Sequence, residues 1–331
     1  MTELPQTLRP GVYTCTSTVP ACLGTSRGGA AVVAQADAGE PGKAVRLDSL
    51  EQAQAFGAQS ALYRMAAILL KAGVSPIWAV PAGEDYAAAY AACEPLDDVL
   101  AVTGDGGVQE LCEHVRHCCE HGRERIGVLP AADVQSACSD AKTADFPHIA
   151  VVCDGGTKPE KTAAAFTAVV ACASAGANLN GEILPVEDFD GTLSDTDIET
   201  LLKCGVTPIE RLDKKGSIVR AVTSCTSVLG RETRAYSSLS AVLAADDVVR
   251  TIRQAVRLRL KGMKNTPVTR ESIASQIVVE LENKQAQGVI DRYLPPVVRE
   301  HPADPAVCDV TLQFQAAPEM SQIIISAQIL L

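Results

Sequence analysis

Residues 188–209 read DFDGTLSDTDIETLLKCGVTPI, and the stretch can be taken as chemistry or as architecture. As chemistry, Asp188 and Asp190 stand two apart before Gly191 and Thr192. That spacing suits one carboxylate attacking phosphorus and a second moving the proton, with Mg²⁺ offsetting the charge. As architecture, Ser194 is a good N-cap for a helix from Asp195 to Cys204, with acids in its first turn, Lys203 in its last and Gly205 just beyond. Asp190-Gly191 is then a turn delivering the chain to that cap, and Val206-Thr-Pro-Ile209 opens a β-rich run.

The first reading is that of a Mg²⁺-dependent haloacid-dehalogenase-type phosphatase using Asp188 and Asp190. Val219-Arg-Ala-Val-Thr223 partly imitates its phosphate-binding Thr, and Asp246-Asp247 its acidic pair. Three features oppose it. The residues before Asp188 include Pro185 and Glu187, ill suited to a buried central strand. No Lys lies between Thr223 and Asp246, and roughly 22 residues are short for the parallel crossovers the fold needs there. A long α/β region also precedes a loop that normally opens that fold. The helix-cap reading accounts for the decapeptide locally.

Outward from this stretch, the 331 residues are 47% hydrophobic and 21% charged, the composition of a folded globular chain of one or two domains. A formal net charge of −11 argues against nucleic acid as a partner, since phosphate binding needs surplus Lys and Arg. No apolar run reaches the ~20 residues of a membrane span. The N-terminal MTELPQTLRPG lacks the apolar region of a signal peptide, so the expectation is cytoplasmic synthesis with no membrane partner. The twelve cysteines are read as reduced thiols, most of them in apolar runs as small hydrophobes.

From Gly28 to about Gly181, short apolar strands alternate with Ala-rich helices. The strands are AAVVAQA, PIWAV, VLAVTG, RIGVLPA and HIAVVCDGG, and the helices fall near 51–72, 84–93, 107–121, 133–143 and 159–176. This predicts a layered α/β unit with a largely parallel sheet. No phosphate-binding glycine motif follows any of these strands, and no GxSxG elbow occurs. An α/β enzyme with an unrecognised ligand stays a third reading. On the helix after Glu110, His114, His117, Cys118 and His121 share one side. Four ligands from one straight helix cannot surround an ion tetrahedrally, so a mixed, partly exposed face is expected, with no metal and no cofactor.

Residues 206–224 predict a hairpin across Asp213-Lys-Lys-Gly216. Helices follow near 239–262 and 268–287, then a strand near 306–315. The chain closes on MSQIIISAQILL, residues 320–331. An apolar run at Ile323, Ile324, Ile325, Ile329 and Leu330 needs a partner strand, as does the β-rich run around Val12, Tyr13 and Thr14. Strand addition to a neighbouring subunit and pairing within the chain both satisfy that need.

The order of these pieces resembles the contractile tail sheath proteins of phages, R-type bacteriocins and related contractile injection systems. The resemblance rests on Arg9-Pro-Gly-Val-Tyr13, Gly181-Glu-Ile-Leu184, Leu193 through Ile209, Val219-Arg-Ala-Val-Thr223, the helix opening Asp246-Asp-Val-Val-Arg-Thr-Ile252, Lys264-Asn-Thr266 and the closing strands. The chain is similar to minimal forms without large insertion domains. The resemblance implies a layered α/β core with a mixed sheet plus a C-terminal α+β part, with extended N- and C-terminal arms that pair with neighbouring subunits. It divides the chain into an arm at 1–22, an outer sheath domain at 23–178, a sheath core at 179–318 and an arm strand at 319–331.

It further implies a non-enzymatic subunit of stacked hexameric rings around a tail tube, contracting to drive the tube through a target envelope. Its partners would be itself, the tube, and baseplate and terminator proteins, in the cytoplasm during assembly and then in a tail or released particle. Arg250, Arg253 and Arg257 lie at i, i+3 and i+7. With Lys261 and Lys264 they offer a basic stripe to an acidic tube, although bases late in a helix also suit its dipole. The helix Thr269 to Gln287 is the rival attachment element.

Overall fold

The computed structural model describes residues 28–228, 231–232, 237–260 and 263–319. The arm residues Val12, Tyr13, Thr14, Ile323, Ile324, Ile325, Ile329 and Leu330, together with Lys261, lie outside that set.

The α/β unit begins with β1 (Gly29–Gln35), β2 (Val45–Leu47), α1 (Leu50–Gln54), α2 (Ala61–Lys71), β3 (Ile77–Ala82), α3 (Tyr86–Ala91) and β4 (Val99–Gly104). It continues with α4 (Val108–Glu120), β5 (Ile126–Ala131), α5 (Val134–Ala144), β6 (Ile149–Cys153) and α6 (Pro159–Cys172). After a long irregular passage come α7 (Asp195–Lys203), β7 (Val206–Leu212) and β8 (Lys215–Ile218). The strands form one eight-stranded mixed sheet in the order β2-β3-β1-β4-β5-β6-β7-β8. The six inner strands are parallel, and β2 and β8 add antiparallel to the two ends. β6 and β7 are direct neighbours, so one sheet takes strands from both sides of position 178.

Both sheet faces are covered, which is why the strands read as unbroken apolar runs. In β1, Ala31 and Val33 face a layer of α3, α4, α5 and α7. Ala30, Val32 and Ala34 face α2 and α6 on the other side. Every residue from Thr162 to Cys172 of α6 is buried. A helix apolar all round has no solvent face, and its alanines allow close packing between sheet and α2. The hairpin at β7–β8 turns through Asp213 and Lys214 at φ +48° and +70°, the two left-handed residues that match strand twist in a two-residue turn.

A minor pair, β9 (Ser227–Val228) and β10 (Arg231–Glu232), precedes the C-terminal unit. That unit holds α8 (Leu239–Leu260), α9 (Pro267–Ala286), β11 (Ile290–His301) and β12 (Asp304–Ala316). Leu239, Val242 and Leu243 at the start of α8 belong to the core of the α/β unit. One turn on, Ala244, Val248 and Ile252 pack with Ile273, Ile277 and Leu281 of α9 and with Tyr293, Val298, Leu312 and Phe314 of the strand pair. Steps of four residues on both helices place one stripe against another. A single helix thus joins the two cores.

β11 was not anticipated as a strand, because Pro295-Pro296 interrupts its alternation. The register with β12 shifts between Leu294 and Val297, so the two prolines sit at a bulge, where a missing N–H leaves the ladder intact.

An arginine clasp holds the turns that follow α3. The Arg125 guanidinium is 1% exposed and donates to the carbonyls of Cys93 and Leu96, each at 2.9 Å. Arg123 donates to the Glu94 carbonyl. The carbonyls of the turns between α3 and β4 are thereby satisfied by side chains from the segment entering β5, the strand beside β4.

Candidate functional site

The loop of residues 188–197 is the first place to look for chemistry. Asp188 sits at φ +54° in a segment that follows no strand of the main sheet. Phe189 is buried, and a Cβ at Gly191 would lie 2.4 Å from its ring. The Asp190 carboxylate accepts from Thr157 Oγ1 at 2.5 Å and from Thr157 N–H at 3.3 Å, and the Thr157 hydroxyl holds its pKa below the usual carboxylate range. Thr192 N–H donates to the Asp154 carbonyl at 2.9 Å. Ser194 caps α7, its Oγ accepting from Asp197 N–H at 3.2 Å while Asp197 returns to the Ser194 N–H at 3.1 Å. The decapeptide therefore has local tasks: it ties the turn after β6 to the start of α7. Asp188→Asn should leave folding and assembly unchanged and abolish no Mg²⁺-dependent phosphatase activity. A phosphate-ester assay with and without Mg²⁺ checks this.

The crevice where strand order reverses, between the carboxyl ends of β1 and β4, is the usual ligand position of an open α/β sheet. Here two tyrosines fill it. Tyr90 O–H donates to the Gly106 carbonyl at 2.9 Å, Tyr86 O–H donates to Asp105 Oδ1 at 2.8 Å, and Gln35 N–H donates to Asp105 Oδ2 at 3.0 Å. A Cβ at Gly104 would meet Tyr90 Oη at 2.3 Å and the Val33 carbonyl at 2.6 Å, so this glycine is required for the ring to enter. Burial pushes the Tyr86 hydroxyl up to about 12. It stays a neutral donor to Asp105, a packing element locked by hydrogen bonds.

On α4 the histidines do not converge. His114 is buried, and burial first, with Arg125 adding, lowers it to about 3. It is therefore neutral and offers Nε2 to Arg125 Nη1 at 3.4 Å. The His117 and His121 rings instead stack on each other, centroids 4.2 Å apart. No group of three or more metal-ligating side chains occurs among the described residues.

The basic stripe of α8 has a partner inside this chain. Arg250 donates to the Glu124 carbonyl at 2.9 Å. Arg253 donates to the Glu124 carboxylate at 2.5 and 3.1 Å and to the Gly122 carbonyl at 2.6 Å. Burial alone would raise the Glu124 carboxyl, but Arg253 outweighs it and holds the group below its ordinary range. Arg257 and Lys264 are exposed. Helical spacing places the arginines on one face; what meets that face, the loop entering β5, is more than a hundred residues away in sequence.

A second link was not foreseen. His148 Nε2 and Asp246 Oδ1 lie 2.9 Å apart, with side chains 16% and 11% exposed. The Cys119 thiol also contacts the imidazole, and Arg116 stacks on neighbouring Phe146. On the other side of α8, Asp247 pairs with Lys284 of α9 at 2.5 Å. Burial alone would lower His148, but the hydrogen bond to Asp246 prevails, with Cys119 adding, and raises it to about 10. A pKa raised above the ordinary ~6.5 contributes stability in full below that value and loses it as pH climbs through the folded pKa. The unfolding free energy measured by urea denaturation should therefore fall from pH 7 to 10, by up to about 1.4 kcal/mol per pH unit from this group. Asp246→Asn should lose stability at pH 7 and flatten that slope; an unchanged slope refutes the assignment.

The outer face of the strand pair β11–β12 is mixed: Leu294, 58% exposed, Val297 and Val307 stand among exposed Arg292, Arg299, Asp309, Gln313 and Gln315. Among the described residues the two strands pair only with each other, so each keeps an open edge. At ~3.3 Å per residue the pair extends roughly 40 Å.

No protein-family model matches the chain, and no curated protein matches its sequence. Solved structures do. The helical sheath of the anti-feeding prophage in its contracted state aligns over 97% of this chain and 99% of its own, with a TM-score of 0.72 at 13% identity. The fold is that of a tail-sheath protein. Sheath tail proteins of Listeria innocua (TM-score 0.69, 12% identity, 89% of this chain and 93% of that one) and Desulfitobacterium hafniense (0.67, 13%, 92% and 100%) share it. The α/β layers, the bridging helix and the C-terminal strand pair thus belong to one sheath fold, matched almost from end to end.

Proposed function

We propose that the chain is a non-enzymatic structural subunit of a contractile tail sheath, assembling as stacked hexameric rings around a tail tube and contracting to drive it through a target envelope. The observation that carries this reading is the near-complete alignment in both directions with a helical sheath subunit. A match confined to the α/β layers would have pointed only to a common sheet topology.

The open edges of β11–β12 supply main-chain donors and acceptors for added strands. The residues proposed to use them are Val12, Tyr13 and Thr14 of one neighbour and Ile323, Ile324, Ile325, Ile329 and Leu330 of another. Strand addition is directional, so linked subunits can rotate about their arms without separating. The tube contact is proposed at the end of α8, through Arg257, Lys261 and Lys264, since Arg250 and Arg253 are engaged with Glu124. α9 remains the second attachment element. Exposed charge pairs are individually weak, which suits a contact that must release. Baseplate and terminator proteins would cap the stack.

No helix among the described residues is long and apolar enough to cross a membrane. This accords with assembly in the cytoplasm followed by incorporation into a tail or a released particle. Sedimentation of the purified full chain tests the reading: ring- and tube-sized species that grow with concentration are expected. A single monomer-sized boundary at every concentration would overturn it.

A further inference from the structure

Of the cysteines among the described residues, Cys93, Cys112, Cys118, Cys153, Cys172 and Cys225 are buried, and Cys119, Cys138, Cys204 and Cys308 are partly exposed. Two of the partly exposed cysteines are neighbours on adjacent helices. Cys138 lies on α5, and Cys204 is the C-cap residue of α7. The two helices lie side by side on one face of the sheet, and both cysteines pack against the same apolar cluster. Their thiols are in side-chain hydrogen-bond contact.

We propose that Cys138 and Cys204 are an oxidation site that forms an intramolecular disulfide, stapling α5 to α7. One thiolate attacks a low-molecular-weight disulfide of the glutathione class, whose S–S bond breaks and expels one thiolate. The second cysteine then attacks the mixed disulfide and expels the other. Two protein thiols lose two electrons and two protons, and one small disulfide gains them as two small thiols. Burial, with Cys204 adding, pushes the Cys138 thiol up to about 12. Thiolate is therefore scarce at neutral pH, and closure takes hours rather than seconds.

The closed loop spans α6 and the whole irregular passage that leads through Asp188 to α7. A long loop is where a cross-link removes most freedom from the unfolded chain. A subunit made in a reducing cytoplasm and working in a released particle would pass into a medium that favours this bond. That physiological role rests on the sheath reading; the bond itself does not.

The test uses the reduced full chain incubated overnight with glutathione disulfide at pH 8, read by intact mass and by peptide mapping without reduction. The expected result is loss of two hydrogens, a Cys138–Cys204 cross-linked peptide, and a melting temperature raised by roughly 5 °C. Cys204→Ser and Cys138→Ala should each show neither the cross-link nor the oxidant-dependent rise. Glutathione adducts without a cross-link, cross-links among other pairs, or an unchanged mass when the urea-unfolded chain oxidises under the same conditions would each overturn the proposal. All readouts are made on single chains, so failure of assembly would leave this result standing.

Discussion

Deleting Ile323 to Leu331 should abolish assembly completely while leaving a folded, soluble chain. Among the described residues the α/β layers bury their own faces, and the C-terminal unit is built on Ile273, Ile277, Leu281, Tyr293 and Phe314. What the deletion removes is the apolar strand proposed to add to a neighbour's β11 or β12. An array held by such strands loses a link at every subunit, so the effect is all or none. Sedimentation should show only monomer, with unchanged far-UV circular dichroism and melting temperature. Normal tubes from the truncated chain would refute the role given to the tail. A truncated chain that fails to fold would mean the tail pairs within its own subunit.

The largest stability loss from a single substitution is expected at Arg125. Arg125→Ala should lower the unfolding free energy by about 3–5 kcal/mol, measured by urea denaturation. The guanidinium is buried among carbonyls with no carboxylate beside it, and burial lowers its pKa. Its role is to hold the turns that follow α3, and truncation withdraws its donors from the Cys93 and Leu96 carbonyls and opens a void. Arg125→Lys should lose less but still destabilise, since an ammonium cannot span the two carbonyls with fork geometry. If Ala and Lys were both neutral, the clasp would be ornamental and the turn after α3 self-supporting.

Much of the fold was legible because burial on both faces of a parallel sheet leaves a direct trace. AAVVAQA, VLAVTG and HIAVVCDGG became β1, β4 and β6, and the Ala-rich stretches between them became helices. Ser194 was readable as a cap because its partners lie within the next three residues, and the turn at Asp213-Lys214 for the same local reason. What failed to show was set by distant neighbours. Periodicity correctly grouped Arg250 and Arg253 on one face of α8, yet it carries no sign of whether that face meets solvent, a tube or Glu124. His148 and Asp246 are 98 residues apart, and no local pattern joins them. β11 was hidden by two prolines that the bulge makes harmless.

The same contrast applies to DFDGT. Taken in isolation it is the most enzyme-like run in the chain, and its five residues are compatible with either fate. Context decides it: Asp190 is held by Thr157 and Phe189 is enclosed beside Gly191, while α7 begins at the Ser194 cap. Motif chemistry requires a strand end and an accessible cavity, and those are properties of the surrounding residues.

Electron microscopy of the expressed full chain, without any added partner, is the most direct test of the central claim. Six-fold rings or helical tubes are the predicted result, with density for an added strand along the β11–β12 edges at higher resolution. Dispersed single chains at high concentration, under conditions where circular dichroism shows them folded, would contradict it.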